Sequence, residues 1–123
     1  MECKYYEITG KKFYQNALIL GQVEWLNALV SEKHPEGLLP REIENFIDSN
    51  LSALLSIILV SDGLTQAEKV GAGIDDMLKL RRWFSESSDP LKLYQIGNEV
   101  ITDFFSFNPP EIIMLIFGLH RRR

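Results

Sequence analysis

Lys79, Arg81 and Arg82 precede Trp83 and Phe84, and Arg121, Arg122 and Arg123 end the chain. Arginine presents a planar fork of donors to carboxylates or phosphates, and a neighbouring tryptophan adds a flat apolar face, a combination enriched at binding hot spots. Arg82 and Trp83 are therefore candidate partner-binding residues. Thirteen Lys and Arg stand against seventeen Asp and Glu, for a net charge of −4 over 123 residues. A chain so balanced lacks the cationic surplus that displaces counterions from nucleic acid, so nucleic acid is not the expected partner of the body of the protein. The two basic clusters leave it a local polarity that suits an encounter with an acidic partner.

Residues spaced for catalysis are sparse. The phosphate loop ending in Gly-Lys-Ser/Thr, the His-Glu-x-x-His zinc pair and the Gly-x-Ser-x-Gly elbow are all missing from the sequence. Gly71-Ala72-Gly73 carries only the first half of a dinucleotide fingerprint, without the preceding strand. Asp75 and Asp76, with Asp62, offer charge to a hard cation, but adjacent helical residues point about 100° apart and no calcium-loop pattern surrounds them. His34 sits beside Pro35 and Cys3 beside Lys4, each without a nearby group to activate it. No catalytic, cofactor or metal set is assigned, and a non-enzymatic protein is expected. With a single cysteine and two distant histidines, neither an internal disulfide nor structural zinc is expected, which fits a reduced, cytoplasmic setting. The longest apolar runs, Leu51 to Val60 and Ile112 to Leu119, fall short of the roughly 20 residues that cross a bilayer, so no membrane partner is expected. The first residues do not read as a secretory signal.

The elements that would position these groups are mostly helices. Tyr6 and Ile8 share one face of a short strand, Gly10 supplies a turn, and Lys12-Phe13-Tyr14 returns. Such a hairpin is marginal alone and should lie against the helices that follow. Leu20, Val23, Leu26, Leu29 and Val30 mark a helix over about 20–32, stopped by His34-Pro35-Glu36-Gly37. Pro40 opens a second, five-turn helix through Ile43, Phe46, Ile47, Leu51, Leu54, Leu55, Ile58 and Leu59, apolar nearly all round in its second half and the expected centre of the core. Thr65 and Glu68 form a capping box for a helix that runs past Gly71 and Gly73, where a break is allowed, and firms up from Ile74 to Trp83. Asp89-Pro90 caps a helix carrying Leu93, Ile96, Val100 and Phe104. Asn108-Pro109-Pro110-Glu111 reads as the cap of a last helix over about 109–119. The expected fold is mainly α: one compact domain, 1–123, of about five helices, with residues 1–15 a short N-terminal β-hairpin arm.

The apolar content is the more telling signal. Leu51 to Val60, Phe104, Phe105, Phe107 and Ile112 to Leu119 together carry more all-round hydrophobic helix than a monomer of this size needs. Self-association or a protein partner would use the surplus. Phe105, Phe107, Ile112, Met114, Ile116 and Phe117 are the candidate contact surface, with Met114 able to adapt to an imperfect apolar pattern.

The order of features also resembles a known family. The Tyr6-x-Ile8-x-Gly10-Lys11-Lys12-Phe13 hairpin, Leu18-x-Leu20-Gly21-Gln22, Leu54-Leu55-x-Ile57-Ile58-Leu59-Val60 and Asp103-Phe104-Phe105-x-x-Asn108-Pro109 together resemble the small tail assembly chaperones of long-tailed bacteriophages and prophages. The likeness runs over nearly the whole chain, and the Asp103 to Pro109 portion is its most specific part. It implies a non-enzymatic helical protein of the host cytoplasm, absent from the finished virion. Such a protein binds the tape measure protein, keeps it soluble and helps recruit tail tube protein around it. The alternative class is a small helical DNA-associated or regulatory protein using Arg81, Arg82 and the C-terminal arginines, whose binding would fall steeply between about 50 and 200 mM salt.

Overall fold

The computed structural model describes residues 3–119. Strands β1 (Lys4–Ile8) and β2 (Lys11–Gln15) form the N-terminal hairpin, followed by α1 (Leu20–Lys33). A 3-10 turn over Pro40–Glu42 leads into α2 (Ile43–Ser49), then α3 (Leu51–Ile58) and the two-residue strand β3 (Val60–Ser61). α4 (Gln66–Gly71), α5 (Ile74–Ser85), α6 (Pro90–Phe107) and α7 (Pro110–Phe117) complete the described residues. The protein is thus mainly helical, with seven α-helices among the described residues where about five were expected, and a three-stranded antiparallel sheet in the order β1-β2-β3.

Two breaks account for the larger helix count. Asn50 leaves helical geometry at φ −129° and ψ 27° and splits the long second helix into α2 and α3. Its side-chain amide donates to the Phe46 carbonyl at 2.8 Å, the local bonding that makes asparagine a helix terminator. Gly73, at φ 90°, separates α4 from α5, a conformation open to glycine without steric cost. The capping box on α4 forms as expected: Thr65 Oγ1 accepts from the Glu68 amide at 3.0 Å and Glu68 Oε1 from the Thr65 amide at 2.9 Å. Asp89 likewise caps α6 by accepting from the Lys92 amide at 3.2 Å.

α3 is the centre of the core, as its composition requires: Ala53 through Val60 are all buried. It packs on α5, α1 and α6, while α1 packs along α7. At its end the chain turns extended, and Val60 and Ser61 pair with Tyr14 and Phe13 of β2. A two-residue strand carries no readable alternation, which is why the third strand was not foreseen. Ile8 and Phe13 are enclosed against the helices, so the hairpin is part of the body of the fold. Among the described residues, no single helix is long and apolar enough to cross a membrane.

A buried glutamine and a close glycine contact join α1 to its neighbours. Gln22 takes the buried place in the first turn of α1, while Leu20, assigned to the apolar stripe, faces solvent. The Gln22 amide donates to the Ile57 carbonyl at 2.9 Å, and its oxygen accepts from the Ile19 amide and from Gln66 Nε2 at 3.2 and 2.8 Å. One side chain therefore satisfies the end of α3 and the start of α1 together. A Cβ on Gly21 would lie 2.6 Å from a Val70 methyl, so glycine is what lets α1 and α4 approach.

Candidate functional site

A groove of about 600 Å³ runs between α2 and α6. Ile43 and Ile47 of α2 face Ile101 and Phe105 of α6 across it, with Pro40 beside them. Glu44 and Asp48 give the α2 side an acidic rim, and Asn98 and Thr102 give the α6 side a neutral polar one. The Tyr94 hydroxyl reaches Asp48 Oδ1 at 3.5 Å, bringing the two walls together at one point. From Tyr94 to Phe105 the α6 wall is about 16 Å long at 1.5 Å per residue, the length of about three helical turns.

α6 can form this wall because it carries an apolar stripe and, beside it, a mixed row of apolar and polar residues. Leu93, Ile96, Val100 and Phe104 turn to the core. Tyr94, Asn98, Ile101, Thr102 and Phe105, at spacings of three and four, form a second row beside them. Gly97 lies between the rows; a Cβ there would meet the Leu51 side chain at 2.9 Å, so its absence lets α6 settle on α3.

The walls rest on α7. The Phe117 ring stacks on Phe105 of α6 at 6.3 Å and 20°, and meets Phe46 of α2 edge-on at 6.3 Å and 82°. Tilted and offset ring pairs of this kind are the favoured aromatic arrangements. Phe117 is 1% exposed and Ile116 is fully buried. These two residues were expected on the contact surface and instead belong to the core, because α1 covers that side of α7. Asn27 of α1 donates to the Leu115 and Ile116 carbonyls at 2.9 and 3.2 Å. Ile112 is half-buried against the same core. Met114, 44% exposed, lies on the outer face of α7 with Leu115. The apolar residues of the C-terminal helices are thus divided: Phe104, Ile116 and Phe117 are enclosed, while Phe105, Met114 and Leu115 stay exposed, Phe105 in the groove between α2 and α6.

The other candidates are dispersed. Phe105, 39% exposed, lines the groove. Phe107 is half-buried at the end of α6. Arg82 is exposed in the last turn of α5. Trp83 packs its ring on Phe13 and Phe84 at 5.8 and 5.3 Å, with Lys11 Nζ 5.3 Å above it, so it serves the sheet-to-α5 packing and is far from a free anchor. The terminal arginines lie outside the described residues. His34 packs edge-on against Phe46. Among the described residues no three His, Cys, Asp or Glu side chains gather as a metal ion would require.

The Asp103 to Pro109 stretch turns out to be a structural joint. Asp103 Oδ2 accepts from the Tyr6 hydroxyl at 2.7 Å and pairs with Lys4 Nζ at 2.8 Å, while Lys4 also pairs with Glu99 at 2.7 Å. Burial pushes the Asp103 carboxyl up, but the hydrogen bonds from Lys4 and Tyr6 outweigh it and hold the carboxyl below its ordinary range. Hydrogen bonding to Asp103 and then Glu99 holds the Lys4 ammonium well above the usual lysine range. Burial, together with donation to Asp103, raises the Tyr6 phenol against the opposing bond from Gln15. Gln15 Nε2 adds bonds to the Tyr6 hydroxyl at 2.7 Å and the Val100 carbonyl at 2.9 Å.

Asn108 does not cap α7 as its sequence context suggested. Pro110 forces Pro109 into extended geometry, φ −69° and ψ 156°, so the helix begins one residue later. The freed Asn108 side chain donates to the Phe104 carbonyl at 2.9 Å and accepts from the Leu18 amide at 3.0 Å, tying the end of α6 to the entry of α1.

Sequence reasoning missed Ile43, Ile47, Tyr94, Asn98, Ile101 and Thr102 as a group. The available signal was the second row on α6, whose Tyr94 and Ile101 were passed over or counted as core. Comparison of the chain with protein-family models, curated proteins and solved structures finds no match.

Proposed function

We propose that this protein is a non-enzymatic assembly chaperone of the long-tailed phage type, which holds the tape measure protein soluble in the host cytoplasm while tail tube subunits are recruited. The observation that carries the reading is the α2–α6 groove, a channel of mixed apolar and polar lining whose α6 wall is about three helical turns long and whose α2 rim is acidic. A long helical client exposes apolar residues at spacings of three and four, and such a stripe is complementary to a groove of this length. Glu44 and Asp48 favour a client helix with lysine or arginine beside its stripe, and the net charge of −4 keeps the loaded complex dispersed. The resemblance over the hairpin, the first helix and the Asp103 to Pro109 joint supports the same reading.

The test is co-expression with a phage tape measure protein. Wild-type protein is expected to keep that client in the soluble fraction and to co-purify with it. Thr102→Arg, at an exposed position on the groove wall, should leave the fold intact and remove both effects. Full rescue of client solubility by this folded variant would overturn the assignment.

A further inference from the structure

A second cavity, of about 370 Å³, opens between the sheet and α4–α5. Its volume lies at the lower end of the roughly 300–1,000 Å³ typical of small-molecule sites. Met77, Leu80 and Trp83 give it an apolar wall. Lys11, Lys69 and Lys79 also line it, against Asp76 as the single carboxylate.

Lys69 is the unusual member. It is 9% exposed, on the inward side of the short helix α4, and its ammonium makes no ion pair or hydrogen bond with any described residue. Burial alone lowers its ammonium to about 8. Gln15 Oε1 is the one fully buried side-chain nitrogen or oxygen without a partner among the described residues, so the Lys69 stem is packed away while its ammonium keeps contact with solvent, where a bound anion would offset its partial desolvation. Lys11 is held over the Trp83 ring, which keeps a second positive charge beside the apolar wall. On a protein of net charge −4, this cavity is a local inversion of sign.

We propose that the cavity is a binding site for a small organic carboxylate, its charged end against Lys69 and its hydrocarbon body on Leu80 and Trp83. A carboxylate fits better than a phosphate. One largely buried lysine, with no arginine fork among the lining residues, matches a monoanion, and the apolar wall matches a hydrocarbon group of aromatic or short aliphatic size. The site is separate from the α2–α6 groove and does not depend on the chaperone reading.

Trp83 lies in the wall and reports on occupancy once Trp25 is replaced by phenylalanine. Phenylacetate and its neutral isostere phenylacetamide are the probes, each titrated into the Trp25→Phe protein at neutral pH. Phenylacetate is expected to change Trp83 emission saturably, with the amide at least about tenfold weaker. Lys69→Met, which keeps the stem and removes the charge, should weaken phenylacetate by at least about tenfold. Raising the pH from about 7 to about 9 should weaken phenylacetate in the parent protein as Lys69 loses its proton, and should do so far less in Lys69→Met, where Lys11, Lys79 and Asp76 are the remaining charges in the cavity. Equal binding of acid and amide, wild-type affinity in folded Lys69→Met, or no saturable signal through the millimolar range would each overturn the proposal. The acid–amide comparison needs no change at Lys69, so it decides the matter even if Lys69→Met does not fold.

Discussion

The Tyr6 hydroxyl donates to Asp103 Oδ2 at 2.7 Å and joins β1 to α6 across 97 positions of sequence. Lys4 and Gln15 complete the joint from the same hairpin, so the strand pair holds the helix that forms one wall of the groove. Tyr6→Phe removes a bond to a charged acceptor and leaves Gln15 without one of its two acceptors. It is expected to cost about 1–3 kcal/mol, read as a lower midpoint in urea. A double-mutant cycle with Asp103→Asn should show coupling between the two positions; strictly additive losses would mean that the bond contributes nothing.

The same joint sets a pH window. Asp103 is held below its ordinary range in the folded protein, so its contribution is present above the unfolded value of about 4 and is lost as pH falls through the folded one. Lys4 is held above its ordinary range, so its contribution is complete below about pH 10 and is lost as pH rises through the folded value. The stability gap between wild type and Asp103→Asn should therefore be widest near neutrality and shrink below about pH 4. Melting both proteins across that range checks it, and a gap that stays constant into acid would contradict it.

α7 should divide sharply by position. Phe117→Ala removes the ring on which Phe46 and Phe105 rest and is expected to cost about 3–5 kcal/mol. Met114→Ala, on the outer face, is expected to stay within about 0.5 kcal/mol. Denaturant midpoints of the two variants separate a core helix from the free contact helix that the sequence suggested; equal small effects would restore the latter.

Gln22 offers a test of the shared cap. Gln22→Leu keeps the volume but leaves the Ile57 carbonyl and the Ile19 amide without their partner, at an expected cost of about 1–3 kcal/mol. Hydrogen exchange should show the ends of α1 and α3 opening together; protection there equal to wild type would show that water replaces the side chain.

The helices were legible because their apolar residues recur at three and four with capping chemistry at the ends, as at Thr65 and Asp89. What periodicity cannot carry is competition between local and distant partners. Asn50 and Asn108 illustrate it: both read as ordinary polar positions or caps, and both act by bonding a carbonyl four residues back. Gln22 gives a second case, since a polar residue next to an apolar stripe reads as surface until two helix ends converge on it. The groove was half-visible. Phe105 was singled out as part of the apolar surplus, but its partners on α2 lie more than fifty-five residues away in sequence, and the packing of both helices on Phe117 brings them opposite each other.

The most direct measurement is amide chemical-shift mapping of the isotope-labelled protein with a peptide from the apolar-striped helical region of the tape measure protein. The largest changes are expected along Ile43, Ile47, Asn98, Ile101, Thr102 and Phe105, with Met114, Leu115 and the α4–α5 cavity unmoved. Changes centred on the outer face of α7 or on Arg82, with the α2–α6 groove silent, would contradict the account.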